Sequence, residues 1–459
     1  MTPSDGPVGL AGLVGDAGPD LVRRPREGFA DDAVSLPLRL LAALDLRGGR
    51  CVAVVADAAA SRWTVPLVRS PDGVRRAVAG DGVAEALVGL LADRSGVLDP
   101  IPGADPGSGR EPRIIVERWY AEPVTGEREV AVDQTNESLV VGGRAVVKWT
   151  LRQPAEGLDV RHPAADRLRA LTGFDGTPRP WGALSVLLPG AAEPLLLATV
   201  ATYLPHALDG WDWAVADVRA YARGHLDLDA AVAPAAAIGD VVARMHVALA
   251  ATGRDALAPD GAQEWARAAR ADLAEALRLV DGPEGERLSR RAAGIEAGLA
   301  PLADAAGTPL VQTHGDLHVG QVLRYDAPGG RPRYAVVDFD GNPVLAPAER
   351  ARRRPAAVDV AGMLASLDHV GRVVLRRTEG IDTAAVERWI PLAENAFLAA
   401  YRSGLAAAGA SDLLDERLLR PVRLQQECRE FLYAVRHLPH WRYVPDGALR
   451  ALLDEGGTR

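Results

Sequence analysis

VQTHGDLHVGQVLRYDAPGGRPRYAVVDFDGNP, residues 311–343, holds a His-Gly-Asp, a glutamine five residues after that aspartate, and an Asp-Phe-Asp-Gly behind a short apolar run. The aspartate is Asp316, the glutamine Gln321, and Asp338 opens the second string 22 residues beyond Asp316. Between them GQVLRYD and PRYAVVDFD read as two strands around the turn APGG. Such a hairpin brings Gln321 and Asp338 to one end. A core has no use for this group, because an unpaired carboxylate is costly to remove from water. A metal–phosphate site does. Taken singly, Asp316 reads as a turn acid, Gln321 as a surface amide and Asp338 as a helix cap; the combination favours phosphoryl transfer. That chemistry needs an acid on the acceptor hydroxyl, oxygen ligands for Mg²⁺ and a strand lysine on the ATP phosphates. His314 and His318 read as loop-packing residues, with His318 close enough to touch a substrate.

The lysine lies upstream. In GGRAVVKWTL, Lys148 sits on a β-prone run at an alternating position, where the other reading is a side chain snorkelling at a strand edge. Asp166, in the helical HPAADRLRAL, is the acid expected to hold it. The stretch DQTNESLVVGG (133–143), including Ser138, is expected to loop over the phosphates without the G-x-G-x-x-G pattern. Adenine is expected at the hinge ATVATYLP (198–205), against Val200, Ala201 and Tyr203, a reading by position alone.

The wider pattern predicts an α+β chain of two lobes, as in a protein kinase, with an N-terminal cap. Residues 1–112 form the cap subdomain, with strands at 50–59 and 62–70, a helix at 81–95 and a Pro/Gly-rich boundary at 98–112. Residues 113–205 form a β-rich nucleotide-binding lobe, with a hairpin turn at Gly142-Gly143 and a helix at 162–173. Residues 206–459 form a mainly helical lobe carrying the catalytic loop and the acceptor site.

Composition narrows the partners. The chain has 459 residues and a formal charge of −9, which gives no basic footprint for nucleic acid. No membrane-spanning segment or obligate protein partner is expected. Two cysteines, Cys51 and Cys428, form no zinc spacing and suit a reducing, cytoplasmic setting.

HGDLHVGQVL followed by VVDFDGNP resembles the actinobacterial maltokinase-like proteins and the related glucosamine kinases, within the aminoglycoside phosphotransferase and protein-kinase-like fold. The likeness runs through DQTNES, AVVKWTL, the DGW at 209–211, IGDVVARMHVAL and PAERARRRPAAVDVAGMLASLDH. It implies Asp316 as catalytic base, Gln321 and Asp338 on Mg²⁺ with Asp340 as a further ligand, and Lys148 on ATP phosphates. Asp359 is implied to be a structural acid near the loop.

The ending departs from the maltokinase Y-E-A-R-N-R-P-D-W. This chain has YAVRHLPHW at 433–441, preceded by QQECREF at 425–431. On a helix Gln426, Glu430 and Tyr433 share one face, with Glu427 beside it. The resemblance implies that this face lines the acceptor pocket and that Trp441 walls a pyranose. A sugar ammonium would find its carboxylate in Glu427 or Glu430. The expected function is therefore an ATP- and Mg²⁺-dependent sugar kinase forming glucosamine 6-phosphate. Alternatives are a maltokinase, an aminoglycoside phosphotransferase, or a kinase-like binding module without catalysis.

Overall fold

The computed structural model describes residues 9–22, 34–70, 73–101, 111–130, 137–155, 158, 160–326 and 330–454. These fall into two compact units. One comprises Met1–Gly173, Pro178–Pro205 and Pro343–Ala351; the other comprises Phe174–Thr177, His206–Asn342 and Arg352–Arg459.

In the first unit, α1 (Leu10–Gly15) packs on a sheet of β1 (Arg39–Asp45), β2 (Arg50–Ala56) and β3 (Arg62–Ser70), edged by β4 (Gly73–Arg76). Strand β2 shows why this sheet cannot stand alone. Its odd residues Cys51, Ala53 and Val55 meet α1, while Val52, Val54 and Ala56 enter a second core. That second core is closed by α2 (Val83–Asp93) and by a seven-stranded sheet. The sheet contains β5 (Gly96–Leu98), β6 (Arg113–Arg118), β7 (Glu127–Glu129), β8 (Glu137–Val141), β9 (Ala145–Trp149), β11 (Pro180–Leu187) and β12 (Leu195–Thr202), in the order β5-β6-β11-β12-β9-β8-β7. Between β9 and β11, β10 (Arg152–Gln153) returns to pair with β3, and Gln153 Nε2 donates to Thr64 Oγ1 at 2.8 Å. The expected boundary at 98–112 therefore does not separate two cores. Two sheets share one, since each alone would leave an apolar face in water. Residues 102–110 of that boundary lie outside the described residues.

Helix α3 (Pro163–Ala170) lies beside β11. Gly142 and Gly143, at φ 59° and 64°, turn β8 into β9. A Cβ on Gly142 would also stand 2.7 Å from Val124 Cβ, so only glycine fits. The expected phosphate loop needs correction here: residues 137–141 are strand β8, and 133–136 lie outside the described residues. The Val-rich alternation of ESLVV explains the strand.

The second unit is mainly helical. It contains α4 (Gly210–Ala222), α5 (Leu228–Ala250), α6 (Pro259–Leu279) and α7 (Gly282–Leu299), with β13 (Asp255–Ala256) paired to β14 (Pro309–Leu310) and β15 (Val322–Asp326) paired to β16 (Pro332–Val336). After α8 (Pro347–Arg350), which belongs to the first unit, come α9 (Ala357–Arg377), α10 (Thr383–Ala407), α11 (Leu419–His437) and α12 (Tyr443–Asp454). Helix α5 is long and apolar enough to cross a membrane, but 56% of that window is buried inside the protein, where it packs on α10. Helix α9 is buried on nearly every side, yet it carries Asp359, Asp368 and His369. Buried polar groups must be partnered, and the partners of Asp359 and His369 locate the site.

Candidate active site

Asp359, 1% exposed, fastens the loop that presents Asp316. Its Oδ2 accepts from the His314 amide at 2.6 Å and its Oδ1 from the Gly315 amide at 2.9 Å. His246 of α5 lies 3.0 Å from Oδ2, and its other nitrogen is 2.7 Å from the Tyr401 hydroxyl of α10. Burial works against the Asp359 charge, but the His246 hydrogen bond, the nearby histidines and the Gly315 amide hold its carboxyl below the usual range. The loop is thus tied to two helices through one buried carboxylate. His314 is buried as well: its Nδ1 accepts from the Asp316 amide at 3.3 Å, so its Nε2–H donates to the Val337 carbonyl at 2.8 Å. This ring joins the loop to the strand that ends in Asp338.

The hairpin aligns the two candidate metal ligands. Val322 pairs with Val336, and the Val337 amide donates to the Gln321 carbonyl at 2.9 Å, so Gln321 and Asp338 emerge at the same end. Asp338 is exposed and adopts φ 65°, a left-handed conformation that aspartate tolerates better than most residues. Asp340 follows in the turn, half-buried. The turn residues 327–329 expected at the far end lie outside the described residues. The donor set suits Mg²⁺: an amide oxygen and carboxylates, with no group of three or more His, Cys, Asp or Glu forming a closed cage among the described residues. Mg²⁺ commonly completes its shell with water and phosphate oxygens.

Electrostatics single out Asp316. Burial pushes its carboxyl up to about 7, and the charges of Asp338, Glu430 and Asp359 add to the rise. A carboxylate near neutrality is a stronger base than an ordinary aspartate. The crowd of negative charge is also what a divalent cation would relieve.

The Glu430 charge that acts on Asp316 comes from α11. Gln426 Nε2 donates to Glu430 Oε1 at 3.1 Å, and both residues are partly accessible. Trp441 lies edge-on to Trp211 at 6.0 Å between centroids and to His369 at 6.4 Å. Trp211 is set by its neighbours: Asp209 caps α4 by accepting from the Trp211 amide at 2.9 Å, and Gly210 lets the helix end close on the loop. A Cβ on Gly210 would overlap the Val319 carbonyl, which explains the D-G-W string.

One acceptor-side expectation is corrected, and the surroundings of two other residues are defined. Glu427 is fully buried and pairs with His369 at 3.0 Å, so it is a counter-ion inside the helix packing rather than a pocket wall. Burial opposes the charged His369 ring, but Glu427 outweighs it and the ring is pushed up to about 9. Tyr433 is 45% exposed and packs on His437 one turn later. His318 uses Nδ1 to accept from the Gly320 amide at 3.1 Å, and burial holds its ring down to about 4. It caps a turn and packs by Trp211.

In the first unit Lys148 lies on β9 with Ser138 directly opposite on β8 and Thr199 on β12. Ala145, Val147 and Trp149 face the core, so Lys148 stands on the other face. Asp166 takes different partners from those expected: Arg161 Nη2 donates to it at 2.7 Å and Arg169 flanks it. It begins α3 between two basic residues of its own segment, which reach it first. Val200 and Ala201 lie inside β12, flanked by β11 and β9, whereas the Tyr203 amide donates to the Arg144 carbonyl at 2.7 Å as the strand ends. Sequence reasoning missed His369 and gave Trp211 no role. The signal for His369 was present, since an Asp-His pair amid an apolar helix cannot be left unpartnered.

Comparison with known proteins places these observations. No family model matches the chain. It is 54% identical over 447 residues to a glucosamine kinase of Streptacidiphilus jiangxiensis, covering 96% of this chain and 98% of that protein. It is 44% identical over 416 residues to a glucosamine kinase of Mycolicibacterium smegmatis, covering 90% and 98%. A solved glucosamine kinase in complex with glucosamine, ADP and inorganic phosphate superposes with a TM-score of 0.82 at 51% identity, covering 99% of this chain and all of that one.

Proposed function

We propose that this chain, which belongs to the glucosamine kinase family, transfers the γ-phosphoryl group of ATP to the 6-hydroxyl of glucosamine through the site built around Asp316. It is a phosphotransferase acting on a sugar hydroxyl, with an α+β, kinase-like fold. The observation that supports the assignment of roles is that the charge of Glu430, with those of Asp338 and Asp359, adds to the rise of the Asp316 carboxyl.

Asp316 accepts the proton of the 6-hydroxyl as that oxygen forms its bond to phosphorus and the bond to the ADP oxygen breaks. Its raised basicity favours that transfer, and the Asp359 tether fixes its direction. Glu430, steadied by Gln426, takes the ammonium at C2 of the sugar, because Glu427 is already committed to His369. Trp441 and Trp211 offer their faces to the pyranose. Lys148, from the polar face of β9, neutralises phosphate charge. Mg²⁺ held by Gln321, Asp338 and Asp340 would spread the charge on the phosphoryl oxygens. The buried free thiols of Cys51 and Cys428 support a cytoplasmic setting.

The test is ADP release with Mg·ATP against glucosamine, N-acetylglucosamine, glucose, maltose and kanamycin. Glucosamine should lead, and Glu430→Gln should raise its KM at least tenfold while barely changing that for glucose. Turnover of maltose in preference to glucosamine would reject the assignment.

A further inference from the structure

Helices α7, α9 and α12 of the second unit line an open pocket of about 450 Å³ with five arginines and one carboxylate in its wall. In a chain of charge −9 such a basic hollow runs against the average. Three of the arginines are paired: Arg287 and Arg291 hold Asp446, each at 2.8 Å, and Arg372 holds Asp368 at 2.8 Å. The other two, Arg376 and Arg450, have no carboxylate within ion-pair distance among the described residues. A second observation points the same way. The Tyr443 hydroxyl in this wall is buried and has no hydrogen-bond partner, and the Arg376 guanidinium lies 5.9 Å from the centre of its ring. A buried hydroxyl left unpaired is costly, and a ligand oxygen would satisfy it.

Two uncommitted guanidiniums and a hydroxyl match one phosphate group, whose oxygens take charge-assisted bonds from arginine. A triphosphate would need more positive charge than these two supply. The volume exceeds what a bare phosphate fills and lies within the range for small-molecule sites. We propose that this pocket is a second binding site, distinct from the one at Asp316, for a small phosphomonoester of hexose phosphate size. Its phosphate meets Arg376, Arg450 and Tyr443, and its hydroxyls face the Asp446 side.

Calorimetry with glucose 6-phosphate, inorganic phosphate and glucose tests this on the full chain and its variants. The ester should bind the wild-type protein and the Glu430→Gln variant alike. It should bind at least tenfold more weakly to Arg376→Ala/Arg450→Ala and measurably more weakly to Tyr443→Phe. Glucosamine turnover without added ester should be unchanged in the double variant, which also reports its folding. The proposal is overturned if the ester fails to bind, or binds the double variant as well as the wild type. It is equally overturned if Glu430→Gln abolishes binding, which would put the ester in the acceptor site. Inorganic phosphate binding as tightly as the ester would mean an adventitious anion only. Failure of glucosamine turnover in the wild type would strike the proposed activity and leave these binding comparisons intact.

Discussion

At Asp316, the proposed catalytic role and stability pull in opposite directions. Its folded-state value near 7 stands above the ordinary 3.8, so between those limits the folded chain keeps a proton that the unfolded chain has released. Stability therefore falls as pH rises through that window. Asp316→Asn removes the cost. At pH 8, without Mg²⁺ or nucleotide, it should stabilise the protein by roughly 1–3 kcal/mol in urea unfolding while reducing kcat at least a thousandfold. In the wild type kcat/KM should decline below about pH 7, and added Mg²⁺ should move that limb lower by favouring the ionised carboxylate. His369 gives a slope of the same sign for the opposite reason, because here the charged form is the favoured one. Its raised value, near 9, contributes stability that is complete below about 6.5 and lost as pH rises through 9. Glu427→Gln removes the buried counter-charge, and should cost about 3 kcal/mol at pH 7 and flatten the stability profile between pH 7 and 9. A variant whose profile still slopes there would show that another group titrates. That Gln321 and Asp338 emerge at one end of a hairpin was legible because its two strands are adjacent in sequence. Glu427 was misread because helical periodicity names a face without naming what packs on it, and its partner lies 58 residues away.

Among the elements, α9 organises the candidate site from within the helix packing. One buried helix holds the loop through Asp359, the α11 pair through His369 and the Asp368–Arg372 ion pair. The hairpin β15–β16 could be read from alternation, and α11 from its 3.6-residue period. The role of α9 could not, because Asp359 and His369 find their partners on different, distant elements. Asp359→Ala leaves two buried amides and His246 without an acceptor. It should destabilise the protein by about 3–5 kcal/mol. Asp359→Asn keeps one acceptor oxygen and should recover part of that stability while kcat stays depressed, with KM for ATP little changed. Loss of stability without any change in kcat for the Asn variant would limit Asp359 to folding.

For the whole molecule, the sequence places the start of the helical lobe at 206, yet the second unit also owns Phe174–Thr177, a strand's length of chain from before β11 and β12. Those four residues are bonded into the hairpin that carries Asp338. The Gly176 carbonyl accepts from the Val336 amide at 2.8 Å, and Thr177 Oγ1 donates to the Val336 carbonyl at 2.8 Å. Arg244 of α5 lies over the Phe174 ring at 5.4 Å. No composition shift marks these residues, since GFDGT reads as an ordinary turn-rich connection. Removing them strips a buried edge from β16 just before Asp338, and each lost buried hydrogen bond costs about 1 kcal/mol with more for the exposed backbone. A fragment beginning at 206 should therefore unfold at a urea midpoint well below that of a fragment beginning at 174, by roughly 2–4 kcal/mol in stability. Supplying a peptide of residues 172–179 in trans should protect the Val336 amide from hydrogen exchange in the shorter fragment. Equal midpoints for the two fragments would mean that the strap is dispensable and that 206 is a true folding boundary.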